Sequence, residues 1–211
     1  MEARGTATIA AAVAIVALGT GSGCDGDDET TTASTTTASE PETAEHVDKL
    51  PKGWKVARNP ELGFEMGRPP GWPDGRDCLR KGADPGTATV MCSPDELVTL
   101  SVSADRTDEA FQIEEGEFAE RTMQGLGDSY EGGLDPRAPK PVKGHYDGAA
   151  VTARGTAAAT GVNQDVTVVV LRRDAVANFT AVIAANAHKP TTPAVKLAER
   201  ALRTLRSQPV R

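Results

Sequence analysis

From Leu50 onward the chain alternates short apolar–polar runs with two stretches of helical spacing. Leu62, Phe64 and Met66 alternate with Gly63 and Glu65, and Val98, Leu100 and Val102 alternate with Thr99, Ser101 and Ser103. A period of two with β-branched residues predicts half-buried strands in both places. Thr87–Met91, Ala149–Arg154, Val166–Arg172 and Ala177–Ile183 read as further strands, the last two joined by the short turn Arg173-Asp174-Ala175. Ala194, Leu197, Ala198, Ala201, Leu202 and Leu205 recur at three and four residues, which predicts a closing helix capped by Thr192 with Pro193 in its first turn. A second helix is expected from about Asp108 to Gln124, with Phe111, Glu115, Phe118 and Thr122 on one face and Gly125 and Gly127 ending it. Consecutive strands with short turns and separate helices predict an α+β fold, an antiparallel β-sheet packed with helices.

Before Leu50 the pattern is different. Arg4 is followed by the apolar run Ile9–Leu18, by the small residues Gly19 to Gly23, and by Cys24. This is the order of an export signal. The run is too short to cross a hydrocarbon core, which takes about 20 apolar residues as a helix. Residues 25–48 (DGDDETTTASTTTASEPETAEHVD) show no apolar periodicity and cannot bury enough surface to offset the entropy of ordering, so they read as a disordered tether. The division expected is 1–23 signal peptide, 24–48 acidic Ser/Thr-rich tether, and 49–211 α+β ectodomain.

Composition changes this picture in two ways. Only eight residues are Trp, Tyr or Phe, so the core must be built mainly from Val, Leu, Ile and Ala. The net charge of -7 is confined to the front of the chain: of 23 Lys and Arg only Arg4 precedes Lys49, whereas nine of the 30 acids do, leaving residues 49–211 at +1. A near-neutral ectodomain lacks the clustered cations that meet phosphates in nucleic-acid binding, so no nucleic-acid partner is expected.

Residues 1–24 resemble a bacterial lipoprotein signal, with Ser22 and Gly23 as the small residues before Cys24; Gly21 departs from the aliphatic usual at its position. The resemblance implies cleavage before Cys24, a diacylglycerol on its sulfur, and a place on the extracytoplasmic face of the cell membrane. An ordinary secretory signal would instead leave Cys24 as a free thiol. Three cysteines is an odd number, and acylation of Cys24 would leave Cys78 and Cys92 as a pair. They flank the turn-forming Gly82-Ala83-Asp84-Pro85-Gly86, so a disulfide is expected, with two buried thiols or a metal pair as the alternatives.

Gly63-Phe64-Glu65-Met66 followed by Pro69-Pro70-Gly71-Trp72 resembles the opening of secreted bacterial domains with a PsbP-like fold, and Pro51-Lys52-Gly53-Trp54 precedes it. The resemblance covers residues 50 to 207. It implies an antiparallel sheet between helices and a binding or accessory role without catalysis, and it transfers no functional residues.

Candidate chemistry is sparse. His46, His145 and His188 have no second ligand at helical or hairpin spacing, and no nucleophile elbow, P-loop or dinucleotide fingerprint is present, so neither catalytic residues nor a cofactor or metal is expected. Trp54 and Trp72 read as core anchors before groove walls. Gly127–Gly144, with Tyr130, is the longest irregular segment, where function often resides. Asn178-Phe179-Thr180 matches a glycosylation sequon by coincidence, inside an expected strand. The reading is a membrane-anchored envelope lipoprotein whose ectodomain binds a small ligand or an envelope protein. The rival is an envelope hydrolase whose site forms only in the fold.

Overall fold

The computed structural model describes residues 50–73, 75–78, 88–106, 111–142, 146–173 and 177–208. The expected signal peptide, Cys24, the tether, His46, His145 and the turn at 82–86 lie outside the described residues.

Among the described residues ten strands form two antiparallel sheets. The smaller has the order β1 (Lys55–Asn59), β2 (Phe64–Arg68), β10 (Arg206–Ser207), so the last strand closes against the second. The larger has the order β3 (Thr89–Cys92), β4 (Val98–Asp105), β9 (Ala177–Asn186), β8 (Val162–Arg173), β7 (Asp147–Ala157), β5 (Tyr130–Glu131), with β6 (Lys140–Val142) also on β7. Among the described residues the helices that accompany them are a single turn α1 (Gly75–Cys78), α2 (Glu115–Gly125) and α3 (Thr192–Leu202), and residues 111–112 are also helical.

The alternation of β8 divides the core. Val166, Val168 and Val170 point to one face, where Ala119, Met123 and Leu126 of α2 and the turn after it cover them. Val169 and Leu171 point to the other, into a larger core with Phe64, Met66, Phe179, Ile183, Ala198 and Leu202 that joins the small sheet and α3. Phe64 and Phe179 meet edge to face with ring centroids 5.9 Å apart, a contact that adds orientation to burial. The layers are therefore small sheet and α3, large sheet, then α2. The α+β antiparallel architecture expected from the sequence is the one observed.

Two differences have physical causes. The α2 face against the sheet is Ala119 and Met123, both fully buried, while Phe118 is only half-buried. A small alanine lets the helix approach the valine-covered sheet, and Phe118 packs at the edge of the same contact, so of the expected face Phe118 belongs to it while the fully buried positions are Ala119 and Met123. Gly127–Gly144 contains a 3-10 turn (Leu126–Ser129) and the edge strands β5 and β6, whose short runs carry too few residues to show a period. The closing helix begins at Thr192 with Thr191 at its N-cap, one residue earlier than the cap expected at Thr192.

Candidate functional site

The sheet face under α3 is wider than the helix that covers it. Ala150 on β7 pairs with Val169 on β8, and Thr167 on β8 pairs with Ile183 on β9, so these side chains form a continuous floor beyond the helix. The cleft above it has a volume of about 340 Å³, near the lower end of small-ligand sites. Leu202, Glu199 and Arg203 from the end of α3 form one wall, and Pro141, Val142 and Tyr146 the opposite one. Leu202 is buried, whereas Glu199 and Arg203, four residues apart on the helix, are exposed at the rim. The result is an apolar base with one carboxylate and one guanidinium at its mouth.

Tyr146 fixes the cleft's position. Its ring packs 5.7 Å from that of Phe179, and its hydroxyl accepts a hydrogen bond from the Ser207 N–H at 3.2 Å. The cleft wall is thereby tied to β10 and to the core. None of Tyr146, Ala150, Thr167, Glu199 or Arg203 carries a motif. The cleft arises from four strands and a helix distant in sequence, so no local pattern marks it.

A second groove of about 530 Å³ runs along Gly53, Lys55, Arg68 and Pro69 to Pro73. The Pro-x-Gly-Trp run forms its floor, and Gly71 has φ +76°, a conformation that a side chain at this turn would strain. Trp72 is 4% exposed and belongs to the core. Trp54 is half-buried, with the Arg200 guanidinium 5.7 Å from its ring centroid. Both tryptophans anchor, and each also edges this groove or its neighbourhood.

Cys78 and Cys92 are joined by a disulfide with Cα atoms 5.6 Å apart. It sits with Ala88 and Val90 in a small buried cluster and fastens α1 to edge strand β3. Asn178 is wholly buried, and its Oδ1 accepts from Arg172 Nε at 2.9 Å, so the sequon is a core position. His188 is exposed after β9. Among the described residues no group of three or more His, Cys, Asp or Glu is placed to hold a metal, and no helix is long and apolar enough to cross a membrane.

No family model matches this chain, and no curated protein matches it. Solved structures do. A Bacteroides thetaiotaomicron protein aligns at 17% identity and TM-score 0.47 over 74% of this chain, which spans about half (49%) of that protein's length. The Saccharomyces cerevisiae Ran-binding protein Mog1p aligns at 11% identity and TM-score 0.48, covering 73% of this chain and 95% of its own. The cyanobacterial PsbP protein CyanoP of Synechocystis sp. PCC 6803 aligns at 14% identity and TM-score 0.53, covering 74% of this chain and 92% of its own. At these identities the likeness speaks of architecture alone, and the conclusion it carries is that this chain has a PsbP-like α+β fold.

Proposed function

We propose that the chain is an extracytoplasmic module, held at the cell membrane through a diacylglycerol on Cys24, whose folded region binds a small, partly apolar ligand without catalysing a reaction. The observation that carries the binding half is the cleft between β7, β8, β9 and α3, with its buried apolar floor and charged rim. Concave sites of this kind take ligands by burying an apolar body while a few polar groups set orientation. Ligand bodies without charge fit the floor of Ala150, Val169 and Ile183, and a polar end fits beside Glu199 and Arg203. The anchoring half is supported by the signal-like order of residues 1–24, and the disulfide is in keeping with an oxidising compartment.

Thermal shift against a panel of amphiphilic small molecules tests the binding half. Ala150→Trp fills the floor, and Arg203→Glu reverses the rim charge at an exposed position. Ligands that raise the melting temperature of the unaltered chain should lose their effect in Ala150→Trp and weaken in Arg203→Glu. A ligand whose effect is unchanged in both variants places binding elsewhere and overturns the assignment.

A further inference from the structure

We infer that the cleft between α3 and the large sheet takes an α-amino acid with an apolar side chain, its ammonium on Glu199, its carboxylate on Arg203 and its side chain on the floor. The inference rests on the binding reading above and names the chemistry of the ligand. Glu199, Leu202 and Arg203 stand three and four residues apart, so they share one face of α3, and all three line the cleft. An acid four residues before a base is the order that favours a bond between the two side chains. On α2 the same spacing produces one, between Glu117 and Arg121. On α3 it does not: among the described residues Glu199 and Arg203 pair neither with each other nor with a third side chain. Arg200, the other cation of this turn, is turned to the Trp54 ring instead, 5.7 Å from its centroid. The mouth therefore presents one carboxylate and one guanidinium as separate charges, with Cβ atoms about 5–6 Å apart.

The floor decides which ligands can use both charges. Ala150, Val169, Leu171 and Ile183 are uncharged, and the last three are buried, so a charged group placed among them would lose its hydration with no partner to replace it. All charge on the ligand must then sit at one end, at the mouth. A carboxylate alone meets Arg203 but is repelled by Glu199, and an amine alone meets the reverse conflict. A peptide carries its two terminal charges at opposite ends. An α-amino acid carries one charge of each sign on a single carbon, and its side chain leaves the same carbon toward the floor. Size agrees with this: the cleft, at about 340 Å³, is near the lower end of small-ligand sites, which suits an apolar body of a few carbons.

The test is a titration of the full chain, by NMR, with two matched sets of probes. One set is L-leucine, 3-methylbutylamine and 4-methylpentanoate; the other is L-phenylalanine, 2-phenylethylamine and 3-phenylpropanoate. Within a set the apolar body is shared and only the charges differ. At least one amino acid should bind about fivefold or more tightly than both of its analogues, the gain from one exposed ion pair near the top of its range. Glu199→Gln should weaken the amino acid and the amine about fivefold and spare the carboxylate. Arg203→Gln should weaken the amino acid and the carboxylate and spare the amine, while Arg200→Gln changes none of them. All three substitutions are at exposed positions, and melting temperature checks that the variants fold. An amino acid that binds no more tightly than both analogues, or that keeps its affinity in Glu199→Gln and Arg203→Gln, overturns the inference. So does an equal loss in Arg200→Gln, which would mark a diffuse charge effect. If the analogues still bind, and stop binding in Ala150→Trp, the cleft reading stands and only the amino-acid class fails. Absence of binding by all six probes also overturns the inference, and the amphiphile panel then decides the cleft separately.

Discussion

The Tyr130 hydroxyl donates a hydrogen bond of 2.9 Å to Oε1 of Gln164, a side chain with no exposed surface at all. The pair joins the two-residue edge strand β5 to the start of β8 across β7. Burial pushes the Tyr130 phenol up to about 12, because the phenolate would lose its hydration there. Tyr130→Phe should therefore leave the Gln164 carbonyl unpaired and cost roughly 1–3 kcal/mol of stability in urea unfolding. The same phenol makes the unaltered protein alkali-sensitive. A tyrosine titrating near 10 when unfolded and near 12 when folded contributes fully below pH 10. That contribution, on the order of 2–3 kcal/mol, should be lost as pH rises through 12, and the loss should be absent in Tyr130→Phe.

Gly148 has no room for a side chain. A Cβ there would stand 1.9 Å from the backbone oxygen of Val170, on the neighbouring strand of the same ladder. Gly148→Ala must part β7 from β8 at the end where Ala150 and Leu171 line the cleft. The expected cost is roughly 1–3 kcal/mol, as for other overpacked sites, with weaker binding of any cleft ligand. Unfolding and binding measured on one sample check both.

Reducing or deleting the Cys78–Cys92 bridge releases a loop with a sequence separation of 14. The chain-entropy account gives about 3 kcal/mol for a loop of this size. A Cys78→Ala, Cys92→Ala double variant should lose about that much in denaturant unfolding, while the cleft, on the opposite face of the sheet from the bridge, keeps its ligand affinity under conditions where the variant is folded.

Arg172 holds the start of α2 to the sheet. Its Nε donates to Asn178 Oδ1 at 2.9 Å, its Nη1 lies 3.0 Å from Glu115 Oε1, and its Nη2 donates to the Ile113 carbonyl oxygen. The guanidinium also sits 6.0 Å from the Phe111 ring centroid. Arg172→Met keeps the stem and removes every one of these bonds. A loss of roughly 1–3 kcal/mol is expected, together with faster amide hydrogen exchange at the first turn of α2.

Much of the fold was legible because its long strands report their own environment. Val98, Leu100 and Val102 alternate with Thr99, Ser101 and Ser103 and face the core as expected, but Thr99 and Ser101 are buried as well, so β4 is not the half-buried strand its alternation suggests. The closing helix shows its stripe for the same reason: Ala198, Ala201, Leu202 and Leu205 are all buried. The disulfide was legible from cysteine number and the turn residues between the two. What was hidden is short or cooperative. β5, β6 and β10 have two or three residues each and exist only through their partners. The contact face of α2 was only partly legible: Phe118 does pack there, but the wholly buried Ala119 packs by being small, which hydrophobicity does not record. The cleft was invisible for the deepest reason: Ala150, Thr167, Ile183 and Arg203 are ordinary residues that become a site only when four elements meet.

Native mass spectrometry of the chain extracted from its own membrane tests together the proposed diacylglycerol on Cys24 and the proposed occupant of the cleft. The expected result is a chain lacking residues 1–23, carrying a diacylglycerol on Cys24, gaining two protons on reduction, and accompanied by a small molecule that is absent from the Ala150→Trp variant. An unlipidated chain with a free Cys24 contradicts the anchor. A lipidated chain with no bound molecule, or with one that Ala150→Trp retains, contradicts the cleft.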